Sequence, residues 1–205
     1  MEKSNTREAI LEAALDFFSV NGYEATSISQ LADAVGIRKA SLYSHFANKQ
    51  EILDTVVETT LKGYAQHSIF AHANWDDREF TKDKDGISAE NVAKQVQGQI
   101  RYILHDPHIS RGRKMLTIEQ FRNEELAKLQ TKQNYEDVLH YFEGMIRFLI
   151  RKGALKDADP AIMAAQFSSP ITVWINLCDR EPEKEDEVLE LVSKHILQFF
   201  DIYRK

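Results

Sequence analysis

Apolar residues recur every three or four positions over most of this chain, the spacing of helices with one buried face. Ile10, Ala14 and Phe17 recur in this way, with Leu11, Leu15 and Phe18 beside them, and Asn21-Gly22 closes the stripe. Ser27 with Gln30 three residues later forms a capping box that opens a helix with Ile28, Leu31, Ala32 and Val35 on one face. Gly36 stops it. A second short helix is predicted from about Lys39 to Phe46. Asn48 caps a longer one whose stripe runs through Ile52, Leu53, Val56, Val57, Leu61 and Tyr64. Residues 72–88 are charged and broken, and read as a long connection. Helix resumes near Ser88 and ends before Pro107, which disfavours helix in the residue before it. Further helices are predicted over 109–123 and from Glu124 to Lys152, where Gly153 stops the second. Asp159 caps and Pro160 opens the next helix, inside which Pro170 predicts a kink. The last spans about Lys184 to Tyr203. Nine helices and no strand predict an all-α fold.

Composition adds limits. A chain of 205 residues has room for one sizeable core, or for a small domain joined to a larger one. The single cysteine, Cys178, excludes an internal disulfide and reads as a small buried hydrophobe. With no secretory leader, this predicts a reducing, cytoplasmic location. No run approaches the roughly 18 apolar residues of a membrane span, so no membrane partner is expected. No phosphate-binding, dinucleotide, nucleophile-elbow or zinc-protease motif is present, so no catalytic role and no cofactor are implied. His67 and His72 are five apart, and His105 and His108 straddle Pro107. Neither pair has the spacing of two ligands on one helical face, so no metal site is expected.

Charge sharpens the picture at one place. The formal net charge is −6, yet residues 34–50 contain no Asp or Glu and do contain Arg38, Lys39 and Lys49. Residues 1–50 carry five basic and six acidic side chains, so most of the negative excess lies beyond them. Two short helices joined by a Gly-containing turn, with an apolar helix before them, make a helix-turn-helix arrangement. On a helical wheel Leu42 and Phe46 fall together and face inward. Ala40 and Ser44 point outward, with Ser41 and Tyr43 on the flanks. That small, flat outer face suits entry into a DNA major groove about 12 Å wide. Carboxylates there would repel the phosphates.

The segment "TSISQLADAVGIRKASLYSHFANKQEIL" strongly resembles the DNA-binding domain of the TetR family of bacterial transcriptional regulators. The resemblance covers roughly residues 6–56, and "LYSHFANKQE" is its most specific part. It implies a nine-helix fold with a helix-turn-helix domain over 1–50 (helix-turn-helix about 27–46), and an effector-binding and dimerisation domain over 51–205. It further implies a ligand-responsive homodimeric repressor whose recognition helices enter successive major grooves of a palindromic operator, about 34–36 Å apart. Carried over by position, Ser41, Tyr43, Ser44 and His45 line the recognition helix, while Ser27 and Lys49 touch phosphate. Arg38 and Lys39 lie at the helix start. Arg38 stands where the family usually has a Ser or Thr cap, which opens a bidentate contact to guanine. Ala47 stands where Pro or Gly is common, and Ser44 is smaller than in relatives.

For the effector, Phe70, Trp75, Tyr102, Met115, Phe121, Met145, Phe148, Phe167 and Trp174 are candidate pocket residues, with Arg101, His105 and Asn176 as polar anchors. A hydrophobic or aromatic compound would suit them; each aromatic is also an ordinary core residue. The resemblance assigns the last two helices to the dimer interface, through Ile171, Val188, Leu191, His195, Ile196 and Phe199; the alternative is that their apolar stripes are intramolecular core. The competing functional reading is a ligand-binding or protein-interaction module on the same fold that binds no operator.

Overall fold

The computed structural model describes residues 3–67 and 88–205. They form helices α1 (Lys3–Asn21), α2 (Ile28–Val35), α3 (Lys39–Leu42), α4 (Lys49–His67), α5 (Ala89–His105), α6 (Pro107–Glu119) and α7 (Glu124–Thr131). Then come a π-helical turn (Lys132–Glu136), α8 (Asp137–Arg151), α9 (Pro160–Arg180), a 3-10 turn (Pro182–Lys184) and α10 (Glu185–Tyr203). α7, the π turn and α8 follow without a break, so the described residues hold nine helical segments in all, as the periodicity predicts. Among them there is no strand, only an isolated antiparallel bridge between Leu155 and Arg204. Phe70, Trp75, His72 and most of the predicted 72–88 connection lie outside the described residues.

Side-chain chemistry sets the boundaries. Asn48 Oδ1 accepts the Glu51 N–H at 2.9 Å while Glu51 Oε2 accepts the Ala47 N–H at 2.6 Å, which fixes the start of α4. Ser88 caps α5, accepting the Asn91 N–H at 3.1 Å. Asp106 accepts two N–H groups at the start of α6, with Pro107 at the first helical position, so this helix starts two residues earlier than expected and ends at Glu119 rather than 123. Asp159 and Pro160 do the same for α9, which runs on through Pro170. Gly153, at φ +74°, follows the end of α8.

The chain divides into two compact units. The first holds α1–α4 with α6 and α7; the second holds α5, the π turn, α8, α9 and α10. The division does not follow the boundary expected at residue 50, because residues 51–67 and 106–130 belong to the first unit. Ile10, Ala14, Phe18, Leu31, Leu42, Phe46 and Ile52 form the first core, and α6 and α7 complete it with Met115, Leu116 and Leu126.

In the second unit α8 packs along α9 and α5 along α10. Phe167 centres its core, with ring centroids 4.8 Å from Phe142 and 5.1 Å from Phe199. His195 Nε2 lies 2.9 Å from the Phe167 carbonyl oxygen. Beside this cluster, burial pushes the Tyr141 phenol up to about 12. Cys178 is buried here too, as expected. α9 corrects one expectation: it is long and apolar enough, by length and composition, to cross a membrane. Its Met163, Ala164, Phe167, Ile171 and Cys178 are instead packed into this core.

α6 crosses α4 closely at Gly112. A Cβ there would stand 2.3 Å from Thr60 Cγ2. Thr60 is β-branched and has few rotamers with which to withdraw. Gly112→Ala is therefore expected to destabilise the protein by about 1–3 kcal/mol in urea unfolding, despite alanine's better helix propensity. Adding Thr60→Ala should recover most of that loss.

Candidate nucleic-acid interface

The interface is built on two capped turns. At the start of α2, Ser27 Oγ accepts the Gln30 N–H at 3.2 Å and Gln30 Oε1 accepts the Ser27 N–H at 2.7 Å, completing the capping box. At its end Gly36 takes φ +73°, and the N–H groups of Gly36 and Ile37 donate to Asp33 and Ala32 carbonyls at 3.1 and 3.0 Å. This left-handed stop turns the chain towards α3 within two residues.

α3 is shorter than the periodicity predicts. Regular helix covers only Lys39–Leu42; Tyr43, Ser44 and His45 continue as tight turns. The Ser44 and His45 N–H groups donate three residues back, to Ser41 and Leu42, at 3.1 and 2.9 Å. The Ser44 hydroxyl donates to the Ser41 carbonyl at 2.6 Å, which favours the tightening. A segment this short has no stability of its own. It is held by Leu42 and Phe46, 0% and 1% exposed, each contributing about 1.5–3 kcal/mol by burial.

These two anchors decide which side chains face outward. Ser27, Arg38, Lys39, Ala40, Ser41 and Ser44 are exposed, Tyr43 is 46% exposed, and His45 and Lys49 are half-buried. Arg38 occupies the cap position of α3 in extended conformation, and its side chain makes no capping hydrogen bond. Among the described residues neither Arg38 nor Lys39 is in an ion pair. Lys49 is engaged within the fold: its ammonium sits 4.1 Å above the Tyr23 ring centroid and 3.5 Å from the Glu24 carbonyl oxygen. Sequence reasoning missed Tyr23. It also missed Arg7 on α1, whose guanidinium lies 4.6 Å above the Phe46 ring. Both depend on packing between segments far apart in sequence, for which periodicity carries no signal.

The candidate pocket residues are only partly brought together. Met145, Phe148 and Phe167 are buried in the second unit's core, Trp174 packs half-buried against it, and Tyr102 is half-buried on α5. Met115 belongs instead to the core of the first unit, where α6 packs against α1 and α4. Phe121, in the turn after α6, is 90% exposed. His105 is exposed, with Nε2 2.8 Å from Glu185 Oε2, and Arg101 is exposed while Asn176 is half-buried.

The expected dimer face also needs correction. Ile171, Val188, Ile196 and Phe199 are buried within this chain's own core and have no surface to offer a partner. His195 is turned to the Phe167 carbonyl, and Leu191 alone of the six is exposed. The outward apolar side chains of α9 and α10 are Ile162, Val173, Leu191, Leu197 and Ile202. A broad apolar stripe shows that a face is buried without showing against what.

Known proteins share these features. A family model described as bacterial regulatory proteins, tetR family, matches residues 10–56, the part of the first core that α1–α4 supply and the candidate interface above it. An HTH-type transcriptional regulator of Bacillus subtilis, YhgD, is 26% identical over 163 residues, which is 77% of this chain and 76% of that protein. A TetR-family regulator structure from Mesorhizobium loti superposes with a TM-score of 0.66 over 100% of both chains, at 18% identity. SmeT, the repressor of a Stenotrophomonas maltophilia multidrug efflux pump, gives 0.60 at 23% identity over 97% of this chain and 90% of its own. Its complex with triclosan gives 0.63 at 21% identity, over 98% and 92%. The relatives are regulators rather than enzymes. Helix-turn-helix, all-α fold and matched residues agree: residues 10–56 are a DNA-binding domain of the tetR family of bacterial regulatory proteins.

Proposed function

We propose that this regulator is a cytoplasmic, dimeric repressor that binds a palindromic operator through residues 27–49 and releases it when a small molecule binds the second unit. The exposed face without carboxylates, with Arg38 and Lys39 outside any ion pair among the described residues, carries this reading. Lysine and arginine side chains on such a face displace condensed counterions from DNA, which makes binding favourable and salt-dependent. Ala40, Ser41 and Ser44 allow close approach but reach little of the base edges. Arg38, at the entry to α3, is long enough to read a guanine by a bidentate contact, while Lys39, Tyr43 and Lys49 hold phosphates.

Repression and effector release draw support from SmeT, a repressor whose structure is known with triclosan. Dimerisation draws support from Val173, Leu191 and Leu197, apolar and exposed on helices that pack side by side. A ligand that favours one separation of the recognition elements shifts the population away from the DNA-competent one.

Arg38→Ser tests the reading because it separates stability from recognition. A serine restores a capping hydroxyl, so stability should hold or rise by up to about 1 kcal/mol. Affinity for the region upstream of its own gene should fall about tenfold or more, with preference lost at one base pair of each half-site. Unchanged operator affinity and preference would contradict the assignment. Val173→Glu places a charge on the proposed dimer face; sedimentation should show a folded monomer with weakened operator binding, since a single protomer occupies only one half-site.

A further inference from the structure

Glu119 is 2% exposed, a carboxylate within the first unit that the DNA-facing surface does not use. Burying such a group is unfavourable unless it is hydrogen-bonded. Its partner comes from far along the chain: Oε1 accepts the Tyr23 N–H at 2.7 Å, joining the end of α6 to the turn after α1. The turn is shaped to admit it. Gly22 takes φ +80°, and a Cβ there would stand 2.9 Å from that same oxygen. The Thr26 hydroxyl donates to the Gly22 carbonyl at 2.8 Å, and the Thr26 N–H to the Tyr23 carbonyl at 3.2 Å, so the turn is braced at both ends.

With its backbone held, the Tyr23 ring has a defined place. It meets Phe18 edge to face at 5.5 Å and carries the Lys49 ammonium at 4.1 Å. Burial first, then Glu24, Asp54 and Glu119, push the Tyr23 phenol up, so the ring stays neutral. A lysine free in solvent loses much rotamer freedom on contacting a phosphate; one already resting on an aromatic face loses less.

We infer that Glu119 is a positioning residue for DNA binding: by holding the Tyr23 N–H it fixes the ring on which the Lys49 ammonium rests, so α6 sets the place of a phosphate-binding cation. This rests on the reading of Lys49 as a phosphate contact. Glu119 touches no DNA itself.

The test is a double-mutant cycle on the full chain. Affinity is measured across a salt series, with DNA from upstream of the gene and a mixed-sequence duplex of equal length. Lys49→Met should weaken binding to both about five- to tenfold and reduce the salt slope by about one for each phosphate no longer neutralised. Glu119→Leu, which has no acceptor, should weaken binding severalfold. Glu119→Gln, which keeps an amide oxygen, should stay within about twofold of wild type. The double variant Glu119→Leu/Lys49→Met should bind no more than about twofold worse than Lys49→Met alone. If the two losses multiply instead, or Glu119→Leu folds and binds as wild type, the inference is overturned. Should Glu119→Leu fail to fold, Tyr23→Leu removes the ring and keeps the N–H; its loss must likewise vanish in the Lys49→Met background, and multiplying losses overturn the inference. A wild-type chain that binds neither duplex, or Lys49→Met without effect, overturns the underlying reading of the DNA face as well.

Discussion

The burial of Leu42 and Phe46 beneath a four-residue helix is the constraint on which the rest of this surface depends. α3 cannot persist alone, so its orientation is dictated by two side chains four positions apart entering the core of α1, α2 and α4. Once those anchors are seated, Arg38, Lys39, Ser41 and Ser44 have nowhere to point but outward. The same core requires Met115 and Leu116 from α6. Hence the α3 segment is held by helices from both ends of the first unit's sequence, and loosening α6 would loosen the surface that α3 presents.

Electrostatics divides the labour along the chain. Most of the acidic excess lies beyond residue 50, where negative charge disfavours indiscriminate attachment to nucleic acid, while the segment from Ala34 to Gln50 keeps its cations without carboxylates of its own. Elsewhere in the first unit several cations are committed: Arg111 bonds to both Glu12 and Asp16 across α1 and α6, and Lys62 and Lys128 pair with Glu58 and Glu124. Exposed pairs of this kind contribute little to stability. Beside them the outward cations of α3 stand out, engaged in no ion pair among the described residues.

Most of the fold and the outward face of the interface were legible in the sequence, for local reasons. A capping box at Ser27, a left-handed Gly36, Asp-Pro starts at Asp106 and Asp159, and Leu42/Phe46 spacing all act within a few residues. The failures were tertiary. Amphipathic stripes on α6 and α10 mark buried faces but not their partners, and Met115 and Ile196 both fill their own chain's cores. α3 ended early because Ser44 satisfies the Ser41 carbonyl, a competition that periodicity does not register. Arg7 on Phe46 and Tyr23 under Lys49 arise from packing across distant segments. The family match spans residues 10–56, so it bears on the first unit and not on the second.

The most direct measurement is the affinity of the wild-type protein for DNA upstream of its own gene, as a function of salt. If Lys39 and Lys49 of two protomers each neutralise a phosphate, the logarithm of the binding constant should fall with the logarithm of salt concentration with a slope of roughly −4. It should also bind that DNA far more tightly than a mixed-sequence duplex of equal length. A slope near zero, or equal affinity for both duplexes, would contradict the assignment of residues 27–49 as the operator-binding surface.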